Sequence, residues 1–181
     1  MADTEADYLL HQDGHIRPNA LCEGVEQRYR AAKTERDRMW RGHAALLLAQ
    51  AFRTHPWLAA FRLCITVSFE YDDSGGYYRT MYLSAEAAER SPSGPLPGDE
   101  FPDGEWNSDQ AQVLVESMLE DDCYDIYEAL ASDPASNDDL TLHLERARIA
   151  PLLDREHVSG EAILAALLPE LDPGSQQAPS V

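Results

Sequence analysis

Lysine is almost missing from this chain. Of its fourteen basic residues thirteen are arginine, and only Lys33 is lysine. From Ser91 to Glu145, 55 residues, there is no base of either kind, against fifteen aspartates and glutamates. Cysteine is nearly as scarce. Cys22, Cys64 and Cys123 are odd in number, widely spaced and form no CxxC pair. That pattern excludes a disulfide frame and a thiolate zinc site and fits reduced thiols. Apolar runs such as Ala44 to Ala49 fall far short of the roughly 20 residues needed to cross a bilayer. The start, MADTEADYLLHQDG, lacks the basic region and apolar core of a secretion signal. A cytoplasmic protein without membrane attachment is expected.

Catalytic and metal signatures are missing too. There is no glycine-rich phosphate loop, no HExxH and no nucleophile motif. His143 and the Glu156–His157 pair are the only acid–base candidates. His11 and His15 have the spacing of a helical metal pair, but Asp13–Gly14 between them favours a turn. DDSGG at 72–76 lacks the terminal glutamate of a calcium loop. A non-catalytic protein with no cofactor and no metal is expected.

What is present is enough for one core: 181 residues, 44 % of them hydrophobic, with three tryptophans. The formal charge is −19. Residues 1–90 hold thirteen acids and eleven bases, and residues 146–181 hold five and three, so the middle segment carries −15. Adaptation of a whole proteome to salt would spread the excess more evenly. Such a charge repels nucleic acid and anionic lipid and favours a basic partner.

The pattern predicts an α+β fold. Residues 1–17 are expected as a loose leader with a turn at Asp13–Gly14, 18–168 as one domain, and 169–181 as a disordered tail. Leu21, Val25, Tyr29, Ala32, Trp40, Leu47 and Ala51 recur near the helical period, with Asn19 as cap and Pro56 beyond the end. Gly42 marks a kink or a division. Between Arg28 and Arg41 this helix carries six bases and two acids, arranged around the wheel, as on a solvated helix.

LCITVSFEY and YYRTMYL alternate about DDSGG, whose residues tolerate a reversal. A five-residue loop pairs Tyr71 with Tyr77, Val67 with Met81, Ile65 with Leu83 and Ser68 with Thr80, giving an antiparallel hairpin over 63–84. A short helix follows from Ser84 to Arg90, then the Pro/Gly-rich acidic loop 91–106 with Phe101 and Trp106 exposed. Asn107 and Gln110 open a helix running to about Ser132. A third strand spans 140–146 with Leu140, Leu142 and Leu144 inward, and a closing helix is capped by Ser159. The fold expected is therefore a small antiparallel sheet against a long N-terminal helix, an acidic central helix and a short C-terminal helix.

On the acidic helix Val115, Leu119, Cys123, Ile126 and Leu130 form one stripe. Glu120, Asp121, Asp125 and Glu128 lie opposite, with Tyr124 among them. Like charges three or four apart cost roughly 0.2–0.5 kcal/mol per pair, and acids near a helix C-terminus oppose its dipole. Neighbouring carboxylates on such a face lie about 5–6 Å apart, close to the spacing of successive phosphates. The expected function is inhibition of a basic protein by occupying its nucleic-acid-binding surface. Small acidic inhibitors of nucleases, restriction systems or CRISPR complexes, and immunity proteins against nuclease toxins, work in this way. The partner-binding candidates are Glu116, Glu120, Asp121, Tyr124, Asp125 and Glu128, with Asp99, Glu100, Asp103 and Glu105 in the preceding loop. Direct binding of nucleic acid is not expected. A homodimer, with the Arg28–Arg41 helix facing a neighbour's acidic helix, is a further reading. The alternative function is a small acidic chaperone or adaptor holding a peptide near Phe101 and Trp106.

Overall fold

A computed structural model of the chain describes residues 5–92 and 94–171. The chain forms two compact units, Met1–Met39 and Trp40–Val181.

In the first unit, strands β1 (Tyr8–Leu10) and β2 (Ile16–Pro18) pair antiparallel. The leader expected as loose is thus a hairpin, and its turn lies at the predicted Asp13–Gly14. Gly14 takes φ +81°, a left-handed conformation that glycine adopts without Cβ strain. Helix α1 (Ala20–Thr54) begins here and is continuous past Gly42. Asn19 caps it by accepting from the Cys22 N–H at 2.8 Å. The first half of the expected apolar stripe is exposed, at Leu21, Val25, Tyr29 and Ala32, while its second half meets the core, with Trp40 and Leu47 packed against it and Ala51 buried.

The second unit takes the C-terminal part of α1, whose Ala44, Ala45, Leu48, Ala49 and Phe52 are buried. Strands β3 (Leu58–Tyr71) and β4 (Tyr77–Arg90) follow. Their register holds every predicted pair: Tyr71 with Tyr77, Ser68 with Thr80, Val67 with Met81 and Ile65 with Leu83. The strands run further than the predicted hairpin. Residues 84–90, expected as a helix, continue β4 through a register shift at Ala87, whose φ is +50°. Pairing with β3 there outweighs the helix preference of the alanines and glutamates.

Next come α2 (Ser108–Leu119), a 3-10 turn over Glu120–Asp122, and α3 (Cys123–Leu130). The single acidic helix expected from 107 to 132 is therefore broken at its three consecutive acids. Asn107 caps α2 as predicted, accepting from Asp109 and Gln110 N–H. Strand β5 (Leu140–Glu145) pairs antiparallel with β3 from Ala60 to Ile65, giving the sheet order β4-β3-β5. Leu142 and Leu144 are buried and Leu140 is half-buried. Helix α4 (Arg146–Leu153) was not foreseen because Pro151 lies inside it. Helix α5 (Gly160–Leu167) starts at the predicted Ser159 cap. Pro169–Leu171 form a 3-10 turn, and the rest of the expected disordered tail lies outside the described residues.

Two glycines let α1 and α5 meet. A Cβ on Gly160 would stand 2.2 Å from the Gly42 carbonyl oxygen, so the backbones touch where any side chain would intrude. Gly42 is a packing position, and the helix is not divided there. Gly160→Ala should lower stability by roughly 1–3 kcal/mol through overpacking. Gly98→Ala, where a Cβ meets nothing within 4 Å, should change it by less than about 0.5 kcal/mol. Urea unfolding midpoints of the two variants check this.

Candidate functional site

The stripe predicted on the acidic segment is buried: Val115, Leu119, Cys123, Ile126 and Leu130 all enter the core. Tyr127 joins them and donates its hydroxyl to the Asp138 carbonyl at 2.7 Å. This burial directs the remaining residues of α2 and α3 outward. Glu120, Asp121 and Glu128 are exposed, and Asp125 is half-exposed. Tyr124 keeps its ring at the surface while its hydroxyl donates to the Arg79 carbonyl at 2.9 Å, fixing it against β4.

Not every carboxylate of the segment is free. Glu116 accepts from the Ala85 N–H at 2.9 Å, on the outer edge of β4. Asp139 does the same for Val67 N–H at 3.0 Å, where β3 extends past the end of β5. Glu100 accepts from the Trp57 indole N–H at 2.7 Å and lies 3.7 Å from His55 Nδ1. Glu116 and Glu100, both taken from the sequence as partner contacts, therefore also serve the fold. Among the described residues, no base lies within ion-pair distance of Asp99, Asp103, Glu105, Glu120, Asp121, Asp125 or Glu128.

The arginines of this unit explain why. Arg146 donates to the carbonyls of Phe52, His55 and Leu58, at and just beyond the C-terminus of α1. Arg53 does the same for Leu153 and Arg155, closing α4. Arg79 donates to Pro134 and Ser136 and lies over the Tyr127 ring. Two arginines of this unit do meet carboxylates: Arg62 pairs with Glu86 on the open sheet face, and Arg148 stands 3.6 Å from Glu145. The negative potential is felt inside as well. Burial first, then the Glu120 carboxylate, pushes the Cys123 thiol up to about 11.

The loop before α2 is built differently from expectation. Phe101 is only 2 % exposed and Trp106 is half-buried. Trp57 packs edge-on against both, at 5.1 and 5.6 Å between ring centroids, and Phe101 stacks on Trp106. Ser91 N–H bonds to the Trp57 carbonyl, and Gly94 passes so close that a Cβ would fall 2.4 Å from Trp57 Cα. The aromatic residues therefore anchor the loop instead of standing out from it. Beside them Asp99, Asp103, Glu105 and Gln110 line an anionic cleft of about 620 Å³.

The exposed aromatics lie elsewhere. Past Ile65, β3 and β4 continue as a two-stranded ribbon bearing Phe69, Tyr71, Tyr77, Tyr78 and Tyr82, all exposed. Tyr71 and Tyr77 meet edge-on at 5.1 Å, and Glu70 accepts from the Tyr78 and Tyr82 hydroxyls. Phe69 and Tyr71 alternate in step with the buried Leu63 and Ile65, but the core ends before it reaches them. Glu156 and His157 are fully open to solvent and His143 lies on the exposed sheet face. Cys22, Cys64 and Cys123 are unpaired thiols. Among the described residues no cluster of His, Cys, Asp or Glu is gathered for a metal ion, and no helix is long and apolar enough to cross a membrane. No protein-family model, no curated protein and no solved structure matches the chain.

His55 is 5 % exposed, and its Nδ1 has no hydrogen-bond partner. Burial lowers its pKa below the ordinary 6.5, with Glu100 opposing weakly. The unfolded chain then binds a proton below that value which the folded chain refuses, so stability falls as pH drops through about 6.5. Urea midpoints at about pH 7.5 and 5.5 should show this loss. His55→Phe should lose less over the same interval.

Proposed function

We propose that this protein is a non-catalytic inhibitor that occupies the basic, nucleic-acid-binding surface of another protein. The observation that carries the reading is the set of carboxylates on α3, its preceding turn and the 99–105 loop that lack cationic partners among the described residues, while the nearby arginines serve main-chain carbonyls. A surface of this kind keeps its full negative potential for an incoming partner. Charges so placed accelerate encounter and reject acidic competitors more than they add raw affinity. Tyr124 adds a ring held in place by its hydroxyl, the type of residue that anchors interfaces. Nuclease toxins, restriction enzymes and CRISPR complexes all offer basic clefts of the required sign. The adaptor reading loses its exposed anchor at Phe101, which lies in the core.

The test is retention of proteins from the native host, followed by competition. The retained protein should be basic, and DNA or RNA should displace it. Substituting Glu120→Gln, Asp121→Asn, Asp125→Asn and Glu128→Gln together should slow association roughly tenfold or more at low salt and flatten its salt dependence. Unchanged rate and salt slope in that variant would overturn the reading.

A further inference from the structure

The Met1–Met39 unit contains a helical segment without cover. From Gln27 to Met39 every residue of α1 is exposed. The segment is not uniformly polar. Val25, Tyr29, Ala32, Arg36 and Met39 fall within roughly 80° on the wheel, and Val25, Tyr29 and Met39 are 48 %, 68 % and 64 % exposed. Most helical stability in proteins comes from packing such a face, so one left bare calls for a partner. Spacings along it alternate between four and three residues, the rhythm of a two-helix seam.

We infer that two copies of the chain associate through this segment, antiparallel, about a centre between Arg30 and Ala31. In heptad terms Tyr29 and Arg36 take position a, and Val25, Ala32 and Met39 take d. Glu26 and Lys33 take e, while Arg28 and Glu35 take g. Antiparallel helices set e against e and g against g. With that centre Glu26 meets Lys33 of the second copy, and Arg28 meets its Glu35. Tyr29 packs on the small Ala32, and Val25 on the aliphatic stem of Arg36, whose head reaches water. A parallel pair would instead set Arg28 against Lys33, like against like.

Within one copy Glu26 and Glu35 pair along the helix with Arg30 and Arg38, at 2.9 and 2.8 Å. Arg28 and Lys33 have no carboxylate partner among the described residues. Residues 20–39 carry four acids and five bases, so this segment does not repel its own kind as the middle of the chain does. That balance selects a second copy as the occupant and disfavours a strongly charged partner of either sign.

Sedimentation equilibrium of the full chain over a concentration series tests the inference. A dimer is expected. Tyr29→Glu should weaken it roughly 100-fold, the scale of an interface anchor replaced by an unpaired charge, with the urea midpoint retained at concentrations where both chains are monomeric. Arg28→Glu should also weaken it, and Arg28→Glu with Glu35→Arg should restore it. In a Cys64→Ser background, Tyr29→Cys and Ala32→Cys chains mixed and oxidised should cross-link with each other in preference to themselves. A monomer at every concentration overturns the inference, as does a dimer indifferent to Tyr29→Glu or self-linking by Ala32→Cys. A dimer dissolved by salt and by the four amide substitutions on the acidic surface would place that surface in the contact, and equally overturns it.

Discussion

The second unit depends on how arginine is used. Arg146 reaches from the start of α4 to carbonyls at and beyond the end of α1, where a helix leaves its last carbonyls without intrahelical donors; the His55 carbonyl also accepts from the Leu58 N–H. An unsatisfied buried carbonyl costs about 1–3 kcal/mol, so one guanidinium answering three fixes the junction of α1, β3 and α4. A guanidinium offers five donors in a planar fork, which a lysine ammonium cannot reproduce. Burial disfavours its charge and lowers its pKa, with Asp154 opposing. Arg53 repeats the arrangement at the end of α4, and Arg79 in the loop between α3 and β5. These arginines hold backbone and leave side-chain anions alone.

That allocation explains how a domain with so few bases folds beneath so many acids. Local repulsion is partly relieved by breaking the helix at Glu120–Asp122 and is offset by burying Val115, Leu119, Ile126 and Tyr127. Each large apolar side chain so buried contributes roughly 1.5–3 kcal/mol, several times the cost of a like-charge pair. The acidic surface is thus supported from below.

Local pattern made much of this legible. The hairpin register followed from apolar residues facing apolar residues across a five-residue loop, and the caps at Asn19, Asn107 and Ser159 followed from their side-chain oxygens. The buried stripe of the acidic segment was also readable, because it depends only on helical period. Other features depend on distant partners. Residues 84–90 resemble a helix until β3 is present to pair with them. Phe101 and Trp106 sit in a Pro/Gly-rich stretch that reads as exposed, and nothing local announces that Trp57 waits for them. The structural duties of Glu100, Glu116 and Asp139 were equally hidden, since each meets a group more than 30 residues away. The α1 stripe shows the converse: periodicity found an apolar face but could not say that Leu21, Val25 and Tyr29 stay exposed while Trp40, Leu47 and Ala51 are covered.

Glu116 and Asp139 hold N–H groups on the two flanks of the β3–β4 ribbon that a foreign strand would otherwise claim. The carboxylates of this region are therefore of two kinds. Asp103, Glu105, Glu120 and Glu128 hold no backbone N–H among the described residues, so neutral residues there would leave the sheet flanks as they are. Removing Glu116 or Asp139 would instead uncover an N–H on a flank of the sheet.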